Sequence, residues 1–243
     1  MRFLAWLPVL ALLMMPSHAV AQELSVSLGE GGSISARSIQ LILLITVLSL
    51  APGLAIMITC FPFLITVLSI LRQGIGLQQS PPNMLIVSLA LFLTYFIMEP
   101  VFTEAWVTGI QPMIEETLEV EPALTRAMVP FREFMAARLD ADTFQAMAAL
   151  RPNGDTLQPT PDAPLSVLMP SFMLSEIARA FQIGFLVFLP FLIIDLVVAA
   201  VLMSMGMMMV PPATVALPFK LAFFVIADGW ALIAGALVRS YVP

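Results

Sequence analysis

Long apolar runs separated by short polar breaks organise this chain. From Ser38 to Leu71 the sequence is almost wholly apolar, interrupted by Pro52-Gly53 and by Pro62. One helix of that length exceeds an ordinary membrane crossing, and prolines there remove backbone hydrogen bonds. The pattern therefore predicts a broken, hairpin-like pair of helices. Arg72 to Asn83 carries two glycines and the pair Pro81-Pro82, the signs of a loop. A second span is expected from Met84 to about Met98, closed by Glu99-Pro100, with Glu99 in the membrane interface. Residues 103–165 are polar, with ten acids and four arginines. Within them 111–120, 122–138 and 140–150 show helical spacing, as in Phe131, Phe134, Met135 and Leu139, and Pro152–Pro164 reads as a turn-rich loop. Phe181–Met203 and Pro212–Val238 are long enough to span again.

These elements predict an all-α integral membrane protein of bent helical hairpins with four apparent transmembrane segments. The expected divisions are a signal peptide (1–21), an exported arm (22–38), a first hairpin region (39–102), the polar section on the exported side (103–165) and a second hairpin region (166–243). The leader reading rests on Arg2, the short apolar core Phe3–Met15 and the small residues Ala19-Val20-Ala21. Its competitor is an uncleaved first span.

Composition agrees with a membrane protein: 60% hydrophobic, 11% charged, mean hydropathy +1.00, against about 25% charged in soluble domains. Removing the leader removes His18, the only histidine, and leaves the single cysteine Cys60. Zinc, haem and Cys/His nucleophile chemistry lack their ligands or bases. No metal, cofactor, catalytic residue or intrachain disulfide is expected, and an enzyme is not. Net charge is −6, with one lysine against nine arginines, which provides no basic patch for nucleic acid.

Within this apolar background a few residues stand out. Asp195 is the only charge between Arg179 and Lys220, and an acid in mid-span costs roughly 2.5–3.5 kcal/mol unless paired or hydrated. Lys220 and Asp228 pose the same question. On one continuous helix they would lie within about 80° of each other, either as structural neutralisation or lining a pathway. Glu176 and Arg179, three apart, form a local pair by default; a contact of Glu176 with a neighbouring subunit is the sharper alternative. Five methionines fall within Met203–Met209. Methionine is unbranched and adaptable, and Val210-Pro211-Pro212 takes the chain out of helix. The loop is either a packing or lipid-facing turn or a soft seal round a pore.

Two long segments carry a family resemblance. Pro170-Ser-Phe-Met-Leu-Ser-Glu-Ile-Ala-Arg-Ala-Phe-Gln-Ile-Gly-Phe185 and Pro190-Phe-Leu-Ile-Ile-Asp-Leu-Val-Val-Ala-Ala-Val-Leu-Met-Ser-Met-Gly-Met207 resemble the two signatures of the FliP family. Leu217-Pro-Phe-Lys220, Asp228-Gly-Trp230, Arg72, Gly76, Pro81-Pro-Asn83, Met98 and Phe131-Arg-Glu-Phe-Met135 also fit. The resemblance implies a core subunit of the flagellar type III export gate. That subunit is a homopentamer in a helical, conical assembly with FliQ, FliR and other export-gate proteins in the bacterial inner membrane at the flagellar basal body. Its mature N-terminus is exported, and unfolded flagellar proteins pass through its centre. The resemblance further implies a pore gasket at Met205, Met207, Met208 and Met209 and an intersubunit charge pair between Glu176 and Lys220. Asp195 and Asp228 are expected as buried intramembrane charges. Phe63 stands where the family commonly has Arg, and Ser171 where it has Ala. The alternatives are the homologous SctR subunit of a virulence injectisome and, from another class, a proton- or ion-coupled transporter subunit using Asp195, Lys220 and Asp228.

Overall fold

The computed structural model describes residues 34–76, 81–152, 154–207 and 209–241. The expected signal peptide, most of the exported arm and Met208 lie outside them. Residues 1–49 and 50–243 separate as two units, and the first contributes most of helix α1 (Ile34–Met57) to the described residues.

In the larger unit α2 (Phe61–Ile75) follows after a three-residue break, then α3 (Asn83–Ala105). A π-helical turn, Trp106–Ile110, leads into the short α4 (Gln111–Ile114). The polar section supplies α5 (Val120–Arg138) and α6 (Ala141–Ala148), followed by a 3-10 turn at Gly154–Thr156. The long α7 (Leu165–Ser204) comes next, then α8 (Pro212–Ile226) and α9 (Gly229–Arg239). Every regular element among the described residues is helical. Two helical stretches, Asn83–Ile114 and Leu165–Ser204, are long and apolar enough to cross a membrane, and up to four crossings result if each bent pair is one span.

Several boundaries differ from expectation. Pro100 does not close α3, which runs through it to Ala105. Proline fits helical φ, and its lost hydrogen bond is offset here by packing of Met98, Val101 and Phe102 on the core. For the same reason α7 starts at Leu165, well before Phe181, and carries Pro170 and Pro190 inside one 40-residue helix, about 60 Å long. Both family-like segments therefore lie on this helix or at its end. Helix 111–120 is shorter than its spacing suggested, ending at Ile114.

The last span is the clearest correction. Pro212–Val238 is not one helix: α8 stops at Ile226, and α9 leaves at 61°. Asp228 sits at the break with φ 49°, a left-handed conformation that aspartate tolerates better than most residues. Gly229 follows because a side chain there would run into the Phe224 ring. Trp230 closes edge-on against that ring at 5.3 Å.

Two cores hold the unit. On α2, Leu64, Val67, Leu68, Leu71 and Ile75 recur at helical spacing and pack with Ile86, Ala90, Leu93 and Met98 of α3, Phe191 of α7 and Phe224 of α8. The second joins Met135, Phe144 and Ala148 of the polar section to Val167, Leu168 and Phe172 of α7. Where lipid is the solvent, close backbone approach replaces the hydrophobic drive. Gly184 meets Ile70 and Gly74 meets Phe188 and Phe191 across the α2–α7 contact.

Gly184→Ala should destabilise this contact by about 1–3 kcal/mol, read as a lower thermal midpoint in detergent. Asp140 caps α6 by accepting from the Thr143 N–H and hydroxyl, both at 2.9 Å. Those bonds hold its carboxyl below the usual aspartate range. The cap's contribution is therefore complete above the unfolded pKa of about 3.9 and lost as pH falls through the lower folded value. Asp140→Ala should be less stable than the parent at pH 7, and the difference should shrink in an acid titration below about pH 4.

Candidate functional site

Two charge centres and one loop account for the residues singled out above. The first centre surrounds Glu176, which is fully buried in α7. Arg138, the last residue of α5, donates from Nε to Glu176 Oε1 at 3.2 Å, and its Nη2 lies at the same distance. Arg179 approaches the same oxygen at 3.5 Å, so the expected i,i+3 pair is present as the weaker partner. The Tyr241 hydroxyl donates to Oε2. Arg138 also donates to the Ser240 carbonyl at 2.9 Å and lies 3.9 Å above the Tyr241 ring. Phe63 and Phe134 close the ring's surroundings at 5.4 and 6.1 Å. Tyr241 follows the last helix; burial first, and the adjacent Glu176 carboxylate second, raise its pKa, so it serves as a proton donor.

The second centre is Lys220 of α8. Its ammonium donates to Asp195 Oδ2 at 2.6 Å and to the Gly74 carbonyl at 3.0 Å. Gly74 lies in the last turn of α2, whose carbonyls lack helical partners, and Gly76 ends that helix in the left-handed region at φ 88°. A cation there also complements the helix dipole. Asp195 thereby gains the partner its position demanded. Its Oδ1 is buried without a hydrogen-bond partner, and the residue borders a cavity of about 830 Å³ lined also by Thr66, Ser69, Arg72 and Gln73.

Glu176 and Lys220 are not brought together within the chain: each is matched by other residues. Asp228 joins neither centre. It is exposed at the α8–α9 break, so the expectation of a shared helical face with Lys220 fails with the continuous helix it assumed.

The loop between α7 and α8 ends α7 through a Schellman motif. The Met207 N–H bonds to the Leu202 carbonyl and the Gly206 N–H to that of Met203, at 3.0 and 3.1 Å, with Gly206 at φ 76°. Pro211 and Pro212 then start α8. Met205 and Met209 are 66% and 97% exposed and Met207 37%, so the described methionines point away from the chain's own core. Among the described residues no group of His, Cys, Asp or Glu side chains is placed to hold a metal.

Residues 44–237 match the model of the FliP family, a span that includes both charge centres' helical residues and the loop. The chain belongs to the FliP family. It is 49% identical over 238 residues to the flagellar biosynthetic protein FliP of Caulobacter vibrioides, covering 97% of this chain and 88% of that protein. Its similarity to the protein of the same name from Agrobacterium fabrum is 45% over 244 residues, covering 99% of both. With that of Bacillus subtilis it is 44% identical, covering 84% of this chain and 92% of that one.

Arg138, Tyr241 and the Gly74 carbonyl were not visible in the sequence. Arg138 is one of four arginines in a polar section, Tyr241 stands in no periodic pattern, and a carbonyl has no sequence signature. Breaking a buried ion pair from one side strands the remaining charge, at a cost of about 3–5 kcal/mol. Arg138→Met should therefore lower stability by about that much, and Tyr241→Phe by about 1.5–3 kcal/mol. Denaturation in detergent compares the two, with the arginine variant the worse.

Proposed function

We propose that this chain is a core subunit of the flagellar type III protein-export gate in the bacterial inner membrane. It assembles there as a homopentamer with FliQ, FliR and other export-gate proteins round a channel for unfolded flagellar proteins. The observation that carries this reading is the family match across residues 44–237, together with relatives named as flagellar biosynthetic proteins along nearly their full length. Those names favour a flagellar over an injectisome role.

In this reading the methionine loop is the seal. Its support is physical: the Schellman turn and the double proline hold a short loop between two apolar helices, and its described methionines are turned outward. Unbranched, polarizable side chains can close on one another and yield to a passing chain. Met205, Met207, Met208 and Met209 form the gasket.

An intersubunit contact between Glu176 and Lys220 also belongs to this proposal. Lys220 has three donors, of which two are engaged, so the third is open to an acceptor on the next copy. Glu176 and Lys220 are both buried, so the contact requires the Arg138–Tyr241 cover and the surroundings of Lys220 to open on assembly.

Changing all four gasket methionines to Ala should make cells expressing the assembled gate leaky to small ions, measured as conductance of the inner membrane at rest and during export. Unchanged conductance with the complex intact would remove the gasket from the reading.

A further inference from the structure

We propose that Asp195 and Lys220 are positioning residues of the methionine loop: their ion pair clamps α7 to α8 and so fixes where the loop stands. This inference rests on the gate reading above and adds what holds the gate shut.

The pair lies at matching depth on the two stems. Asp195 is nine residues before the end of α7 at Ser204, and Lys220 is eight residues after Pro212 opens α8. At the helical rise both are about 12–14 Å from the loop. Between the pair and the loop the stems face each other only through hydrocarbon. Val197, Val201 and Leu202 on α7 and Val215 and Phe219 on α8 help to line a groove of about 450 Å³ with no polar lining atoms. Among the described residues the ion pair is the only hydrogen bond joining α7 to α8. Apolar faces set a distance without fixing an angle, whereas a 2.6 Å charge-assisted bond fixes both.

The loop itself has little else to hold it. A side chain at Gly206 would meet open space, and Met209 is almost fully exposed. Its position is therefore inherited from its stems. The clamp in turn is anchored: Lys220 also grips the Gly74 carbonyl at the end of α2, and α2 is packed closely against α7. Pro218, two residues from Lys220, removes a backbone hydrogen bond inside α8 and leaves that stem free to bend near the clamp. The pair's two members are not equivalent. Asp195→Asn leaves Lys220 its carbonyl partner, whereas removing the ammonium strands an acid whose Oδ1 already lacks one.

The test uses the assembled gate complex, purified whole and also read in inner-membrane vesicles. Spin labels at Val201 and Ala213, in a Cys60→Ala background, report the spacing of the stems near the loop. In Asp195→Asn the label distance should broaden and lengthen by about 2 Å or more, and resting conductance should rise towards that of the four-methionine variant. The methionine variant itself should leak with its stem distance unchanged. If Asp195→Asn assembles with unchanged distance and conductance while the methionine variant leaks, the clamp is wrong and the gasket stands. A wider spacing without leak overturns the link between clamp and seal. If neither variant leaks, the gate reading fails and this inference with it. Asp195→Glu keeps the charge and leaves Lys220 on the Gly74 carbonyl, so it should assemble with nearly parental distance and conductance; a leak in it with unchanged stem distance would also overturn the clamp.

Discussion

A carboxylate with no access to solvent stays charged only if donors reach it, and that requirement at Glu176 ties three distant parts of the chain together. Arg138 brings the end of α5, Tyr241 brings the C-terminal segment, and Arg179 contributes from the helix that carries the acid. The same arginine holds the Ser240 carbonyl, so the segment after α9 is fixed by the charge it helps to neutralise. Phe134 packs against both hydrophobic cores and stacks on Tyr241. The two cores thus meet at this acid, where electrostatic satisfaction and packing are one arrangement.

Asp195 and Lys220 answer the same constraint differently. Glu176 has no exposed surface and three side-chain partners, whereas the Asp195 side chain is 34% exposed beside a sizeable cavity and has one. The two acids are 19 residues apart on α7, about 28 Å along the axis. The long helix is therefore pinned to the polar section near one end and to α2 and α8 near the other. The first attachment is dense and enclosed. At the second, the hydrogen-bonded hold on α8 is a single bond next to open volume, the kind of place where packed helices have room to shift.

How far the sequence revealed this depended on range. The methionine loop was legible because its signs are local: five methionines in seven residues, then Val210 and two prolines that take the chain out of helix. The need for a partner at Asp195 was legible from burial cost, and Lys220 was the only lysine available. Arg179 was legible as a partner of Glu176, three residues on, but Arg138 and Tyr241 were not, because they lie 38 and 65 residues away and nothing periodic marks them. Prolines misled in one direction. Pro100 read as the end of a span, yet it lies within α3, just as Pro170 and Pro190 lie within α7. At Asp228 the error was the reverse: an acid and a glycine with no proline were enough to break a span, because Phe224 occupies the space a side chain after Asp228 would need.

Phe63 shows why the polar section and the apolar hairpins stand together. The family resemblance implies an arginine where this chain has Phe63, which is fully buried with its ring edge towards Tyr241. The cation over that Tyr241 ring is instead Arg138. Charge compensation at this crossing therefore comes from α5, in the polar section, and not from α2, in the first hairpin. With phenylalanine there, separating α5 from α7 would expose the second core and leave the buried carboxylate without its closest cation at the same time. Packing and charge then fail together, which makes docking of the polar section a condition for the long helix to bury Glu176 in its interior.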